Sequence, residues 1–290
     1  MISYGISHFI QTNDSMITIE EKQVKTIITP SKLPGADFVI NPYIWCSHGC
    51  KYCYASFMKK FTWHIQDKRG EFVDIKVNST DLIKDFKKYT GKNIVIWSVT
   101  DPYQAIEEKY QITKNILEKL IWLSANIDII TKSKLVIRDI DLFKHMKWIN
   151  IVTSFCANDE SIKQLFEENS PSLQERKESL KTLHEHWIHT TLFISPLLPE
   201  ITAWKEIVED TKDYVDEYRF ENLNLYPSIK KTIYQIIHER EPKLVEKYQA
   251  IYEWSEYEEY RNQIASDIRE FCQKKWVKYK IYFHHKDNKK

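Results

Sequence analysis

The 290-residue chain has no apolar run long enough to cross a bilayer and no basic-plus-apolar leader at its start. A membrane-embedded or exported protein is therefore not expected. Charge of one sign is missing too: 42 basic residues against 41 acidic ones leave a formal net charge of +1, which implies no global field for nucleic acid. Repeats and low-complexity segments are absent. Cysteine is scarce. The five cysteines are odd in number and three are clustered, a usage that fits a reducing compartment, the cytoplasm, better than a disulfide framework. No second Cys-x2-Cys and no His-x3-His pair exists to finish a conventional zinc module.

What is present is the stretch Asn41-Pro42-Tyr43-Ile44-Trp45-Cys46-Ser47-His48-Gly49-Cys50-Lys51-Tyr52-Cys53-Tyr54, which holds those three cysteines. Thiolates this close point to metal, either zinc or iron–sulfur. A closed structural zinc site takes four ligands, whereas three cysteines leave a metal position open for substrate or cofactor. The alternatives are a zinc knuckle completed by His48, Cys156 or Cys272, and a cluster of buried thiols.

The chain alternates apolar strand-like runs with helical patterns, the mark of βα units on a parallel sheet. Strands are expected at Phe38 to Ile44, Asn93 to Val99, Ile127 to Thr131, Asn150 to Phe155, Thr190 to Ser195 and Arg219 to Leu225. Helices are expected at Asp81 to Tyr89, along the Ile112, Ile116, Leu120 and Leu123 face, after Pro171, and from Trp204 to Tyr218. Six such units predict an open α/β barrel of the (β/α)6 kind, a partial TIM barrel. The division is a lead-in segment over 1–37, the barrel over 38–227, and a helical extension with a basic tail over 228–290.

In parallel barrels the reactive groups gather at the C-terminal ends of the strands. Here those ends are polar: Thr100-Asp101-Pro102-Tyr103-Gln104, Thr131-Lys132-Ser133, Thr153-Ser154-Phe155-Cys156 and Ser195-Pro196. Each also has a plain reading, as a turn, a helix cap or a local backbone partner.

The Cys-x3-Cys-x2-Cys spacing with Tyr52 before the third cysteine resembles the signature of the radical S-adenosylmethionine (SAM) superfamily. The resemblance implies a [4Fe-4S] cluster on Cys46, Cys50 and Cys53, with SAM on the fourth iron, reductive cleavage of SAM, and hydrogen abstraction by a 5'-deoxyadenosyl radical. It also implies a flavodoxin or ferredoxin-type electron donor. Together with Asn41-Pro42-Tyr43, Arg138-Asp139-Ile140-Asp141, and Ser170-Pro171 followed by Arg176, the motifs look like the spore photoproduct lyase-related branch. By that resemblance Tyr52 meets the adenine region of SAM, Thr100 and Asp101 its amino-acid or ribose portion, Lys132 its carboxylate and Ser154 its ribose. Ser98 joins the cofactor-binding positions, but it stands where the lyases carry a hydrogen-donor cysteine, and a serine O–H is too strong a bond for that role. Cys156 is the substitute candidate, since alternation puts it on the side of Ser154. Trp45 replaces the glycine usual just before the first cysteine.

After residue 228 aromatics crowd a Glu-rich helical stretch (Tyr234, Tyr248, Tyr252, Trp254, Tyr257, Tyr260), and lysines follow (Lys274, Lys275, Lys278, Lys280, Lys286, Lys289, Lys290). A helical cap on the barrel is expected, with a nucleic-acid surface as the sharper reading. Two cysteines beyond the triad exclude a second cysteine-only [4Fe-4S] cluster. The expected function is a radical SAM enzyme on a nucleic-acid- or nucleotide-linked substrate, with a peptide or small metabolite as the alternative. A non-catalytic iron–sulfur or zinc protein is the reading from a different class.

Overall fold

The computed structural model describes residues 7–12, 15–62, 64, 67, 68 and 70–283. In chain order it contains β1 (Ser7–Thr12), β2 (Ser15–Lys22), β3 (Ile28–Pro30), β4 (Phe38–Ile40), β5 (Tyr43–Ile44), β6 (Phe72–Lys76) and β7 (Asn93–Ile96). Then follow α1 (Glu107–Tyr110), α2 (Ile112–Leu120), β8 (Asn126–Thr131), α3 (Ile140–Lys144), β9 (Ile149–Phe155), α4 (Glu160–Phe166), α5 (Leu173–Glu185), β10 (His189–Leu197), α6 (Trp204–Thr211) and β11 (Glu217–Asn222). The helices α7 (Pro227–Arg240), α8 (Leu244–Tyr252) and α9 (Tyr257–Lys274) precede β12 (Tyr279–Ile281).

Strands β4, β7, β8, β9, β10 and β11 lie side by side in sequence order, all parallel, as an open α/β barrel. These are the six expected strands. Two more extend the sheet: β3 pairs antiparallel with β4, and β12 pairs parallel with β11. Sequence pattern missed β12, whose three residues lie in the lysine-rich stretch read as part of the extension. The first expected strand also divides. Pro42 has no N–H for a ladder, so the chain leaves the large sheet after Ile40, and β5 joins a small sheet of order β1-β2-β6-β5. The helix expected over 81–89 is two 3₁₀ turns, broken at Asp85 in a left-handed conformation (φ 56°). The helix expected over 204–218 ends at Thr211, ahead of β11.

Alternation along the strands builds the barrel interior in layers. At the N-terminal ends Asp128 accepts from Asn150 (3.1 Å) and Arg219, Thr191 donates to Asn150 (2.9 Å), and Glu217 accepts from Arg219 (2.8 Å). Two residues on, Val95, Ile130, Val152 and Phe193 form an apolar layer with Trp97 and Tyr282. Two residues further, Lys132 donates to Ser154 (3.2 Å), Ser154 to the Ser195 carbonyl (3.3 Å), and Ser195 to Glu221. The third layer is the polar mouth.

Outside the barrel, Ile94, Ile127 and Ile129 pack on Ile116, Leu117 and Leu120 of α2, and Leu192 and Phe220 pack with Ile207 of α6 and Ile268 and Cys272 of α9. Helices α7 and α8 bury Ile229, Ile233, Ile237 and Tyr248 against Phe166, Leu198 and Leu223, so part of the aromatic stretch is core. Lys275 pairs with Glu209, and Lys280 with Glu217; Lys286, Lys289 and Lys290 lie outside the described residues.

In the small sheet His64 is buried with both ring nitrogens on carboxylates, Nδ1 2.6 Å from Asp67 and Nε2 3.0 Å from Asp74. Its ring stacks on Phe72, which stacks on Trp45 beside the first cysteine. Burial alone would lower the imidazole pKa, but the two carboxylates raise it above its ordinary 6.5. A raised pKa means the folded state holds the proton more tightly, so this stabilisation is full below the ordinary value and is lost as pH rises through the folded one. Amide exchange across β6 is therefore expected to accelerate as pH rises above the ordinary 6.5, beyond its intrinsic pH dependence, and His64→Gln should remove the excess.

Candidate functional site

The cysteine loop leaves β5 and crosses the C-terminal ends of the parallel strands, where its backbone is tied down. Thr100 Oγ1 donates to the Trp45 carbonyl, Gln104 Nε2 donates to the same carbonyl (3.3 Å), and the Ser47 N–H donates to Gln104 Oε1 (2.9 Å). Gly49 takes φ 60°, and Gly70 lies against the loop so closely that a Cβ would meet the Ser47 carbonyl at 3.1 Å and Gly49 Cα at 3.3 Å. A side chain at position 70 would push the loop away.

Asp101 is the tie between strand ends. Its Oδ1 accepts from Thr131 Oγ1 (2.7 Å) and the Tyr103 N–H (2.8 Å), and its Oδ2 from the Lys132 N–H (2.8 Å) with His48 Nδ1 at 3.5 Å. Burial lowers the His48 pKa to about 4 against the pull of Asp101, so His48 is neutral. Asp101 thus joins the end of β7, the end of β8 and the cysteine loop. Thr100 and Asp101, expected to touch a cofactor, are engaged within the protein; Ser98 is likewise paired with Asn41, which donates to it at 2.9 Å.

Lys132, Tyr52 and Ser154 do converge. The Lys132 ammonium is 3.2 Å from Ser154 Oγ, 3.7 Å from Glu167 Oε1 and 5.9 Å from the centre of the Tyr52 ring. Tyr52 donates to Glu167, and Arg176 bonds Glu167 and the Ser154 carbonyl (2.9 Å). Burial would raise the Glu167 carboxyl, yet Arg176, Lys132 and Tyr52 hold it well below the usual range. Burial would lower Lys132, but Glu167 and Cys50 raise it. Two cations, Lys132 and Arg176, thus face two buried carboxylates, Glu167 and Asp101, beside Cys50. Glu167 was not foreseen: it sits at the end of α4, not on a strand, and no local pattern marks it.

Cys156 has no exposed surface, lies among Phe166, Leu198 and Leu223, and burial pushes its thiol up. It follows the last residue of β9, Phe155, and packs in the cap's apolar cluster while its thiol also bonds Glu167, behind the Lys132 and Tyr52 site.

The donor set fits an iron–sulfur cluster. Cys46, Cys50 and Cys53 lie on one loop and form no disulfide, and Cys272 is remote in the core. Among the described residues the thiols do not converge within 4.8 Å of one another, as ligands of one ion must; separate irons, each with one sulfur, suit the wider spacing.

A three-thiol loop over the mouth of an open parallel barrel, beside a buried cluster of Lys132, Tyr52 and Ser154, is the arrangement of an iron–sulfur enzyme. The radical SAM superfamily pattern matches residues 40–213, and the chain belongs to that superfamily. Its cofactors are a [4Fe-4S] cluster and SAM. An uncharacterized protein of Methanocaldococcus jannaschii, MJ0683, is 39% identical over 256 residues, spanning 88% of this chain and 95% of its own. The uncharacterized protein ORF301 of Acidianus two-tailed virus is 26% identical over 211 residues, 66% of this chain and 69% of that one. Among solved structures, spore photoproduct lyase complexed with a dinucleoside spore photoproduct superposes with a TM-score of 0.68 at 16% identity, over 92% of this chain and 82% of that one. The same fold therefore carries both. Among the described residues no helix is long and apolar enough to cross a membrane.

Asp101→Asn removes the charge from four contacts. Urea denaturation is expected to show a loss of about 1.5–3 kcal/mol, the size of hydrogen bonds to a charged group; unchanged stability would show that Asp101 does not tie these segments.

Proposed function

We propose that Cys46, Cys50 and Cys53 hold the cluster, that Lys132 receives the SAM carboxylate, and that Tyr52 and Ser154 adjoin its adenine and ribose. When bound, the cluster and SAM supply one-electron reductive cleavage and a carbon radical that abstracts hydrogen. The chain's own part is positional. Asp101, Thr100 and Gln104 fix the cysteine loop, and Lys132 pairs a carboxylate through a charge-assisted hydrogen bond. The observation that carries this reading is the convergence of Lys132, Tyr52 and Ser154 beside Cys50.

For the substrate we favour a nucleotide-linked molecule. The solved lyase holds a dinucleoside, and here Tyr54 and Tyr226 lie near Cys53 and Glu221, where aromatic faces can stack a base. Repair by the lyase route is not proposed, because Ser98 occupies the donor position and Cys156 is enclosed. A flavodoxin or ferredoxin-type protein is the proposed electron source and the cytoplasm the proposed compartment, on the strength of five cysteines that form no disulfide.

Anaerobic reconstitution is expected to load about four irons per chain, and Cys46→Ala, Cys50→Ala or Cys53→Ala to abolish loading. Lys132→Ala should keep the iron but weaken SAM binding by about 1.5–3 kcal/mol. Stoichiometric zinc without iron uptake would overturn the assignment. Dithionite-reduced protein should release 5'-deoxyadenosine, and deuterium should move into it from nucleotide-linked substrates; transfer from peptides alone would reject the substrate class.

A further inference from the structure

We propose that Glu167 is a positioning residue for SAM, acting through Lys132 and Tyr52; this rests on the cofactor reading above. Glu167 is completely buried, and both its oxygens are in use. Oε1 accepts from Tyr52 and faces Lys132 at 3.7 Å, while Oε2 accepts from Arg176 and from Ser170 Oγ (3.1 Å). Arg176 is itself fixed, by the Pro171 carbonyl (2.9 Å) and the Ser154 carbonyl, and the helix that carries it starts at a capping box of Ser172 and Glu175. A rigid cation thus holds the carboxylate, and the carboxylate holds the two side chains proposed to meet opposite ends of SAM. The Lys132 ammonium has three N–H groups. With Ser154 and Glu167 taking two directions, the third is set for an anionic ligand.

The test is a double-mutant cycle read by equilibrium binding of SAM to reconstituted, unreduced protein. Glu167→Gln and Lys132→Ala are each expected to weaken binding about tenfold, and the double variant no further, because Glu167 acts through Lys132. Losses that multiply, or unchanged binding in Glu167→Gln, would overturn the proposal. Glu167→Gln strands Arg176; should it fail to fold, Tyr52→Phe keeps every charge and removes only the hydroxyl that Glu167 holds. That variant should lose SAM affinity severalfold, and wild-type affinity would count against Glu167. A wild-type protein that takes up no iron would instead refute the cofactor reading.

An independent observation concerns tryptophan. The sequence has nine tryptophans and five glycines. Among the described residues, four of the seven non-glycine positions with positive φ are tryptophan, including Trp45 (75°), Trp187 (62°) and Trp276 (56°). Trp187 and Trp276 each follow a helix and complete the same motif. The Trp187 N–H bonds the His184 carbonyl and the Ile188 N–H that of Leu183; the Trp276 N–H bonds the Gln273 carbonyl and the Val277 N–H that of Cys272. This is the Schellman pattern, whose left-handed position belongs to glycine. Their indoles meet solvent, 95% and 94% exposed, so packing does not account for them. Trp45 stands where the resembling family has glycine.

We infer that these three codons are UGA and that the organism owning this gene decodes UGA as glycine. Sequencing the codons and mass-analysing peptides from the native source test this: UGA codons and glycine-containing peptides are expected. UGG at positions 187 and 276, or tryptophan in the native peptides, would overturn it. In recombinant protein Trp187→Gly and Trp276→Gly should each raise the unfolding midpoint; no rise would remove the conformational premise.

Discussion

The carboxylate of Asp101 is the contact on which the site depends. Three parts of the chain meet on its two oxygens: the turn after β7, the end of the neighbouring β8 and, through His48, the cysteine loop. A buried carboxylate is costly unless its lone pairs are filled, and here backbone N–H groups, a hydroxyl and an imidazole fill them. Thr100 and Gln104 of the same turn hold the loop at Trp45 and Ser47, while its far side is held by the Lys51 N–H on the Phe166 carbonyl (2.8 Å) and by Tyr52 on Glu167.

The layered interior explains why such a site can exist in a barrel this open. The charged lower layer around Arg219 and the apolar middle layer close the lumen from below, so polar groups of the third layer face only the mouth. Within that layer Lys132 is paired with buried carboxylates, and low dielectric strengthens that pairing. The same period of two that fills the core delivers Lys132, Ser154 and Ser195 to one level.

Much of this was legible in the sequence. The three cysteines are a local spacing, and the six strands are local apolar runs, of which only the first divides. Features set by distant partners were not legible. Asp101 resembles a ligand-facing carboxylate until its neighbours from β8 are known. Glu167 lies on a helix end with nothing nearby to flag it, yet it joins Tyr52, Lys132 and Arg176. Cys156 follows strand alternation on paper, but the strand stops one residue earlier. Pro42 could have warned that the first strand breaks. The short β12 has too few residues for any period to show.

That last strand has a consequence for how the molecule is assembled. Strands β4 to β11 can add one after another as the ribosome releases them, each finding its predecessor as neighbour, which keeps contact order low. The apolar middle of the lumen cannot be finished that way, because it needs Tyr282 just beyond β12 beside Val95 and Phe193. Until that segment emerges, the nascent barrel has an unpaired edge at β11 and an incompletely filled lumen. Such a chain remains prone to strand-edge association, and cofactor loading then belongs after synthesis is complete.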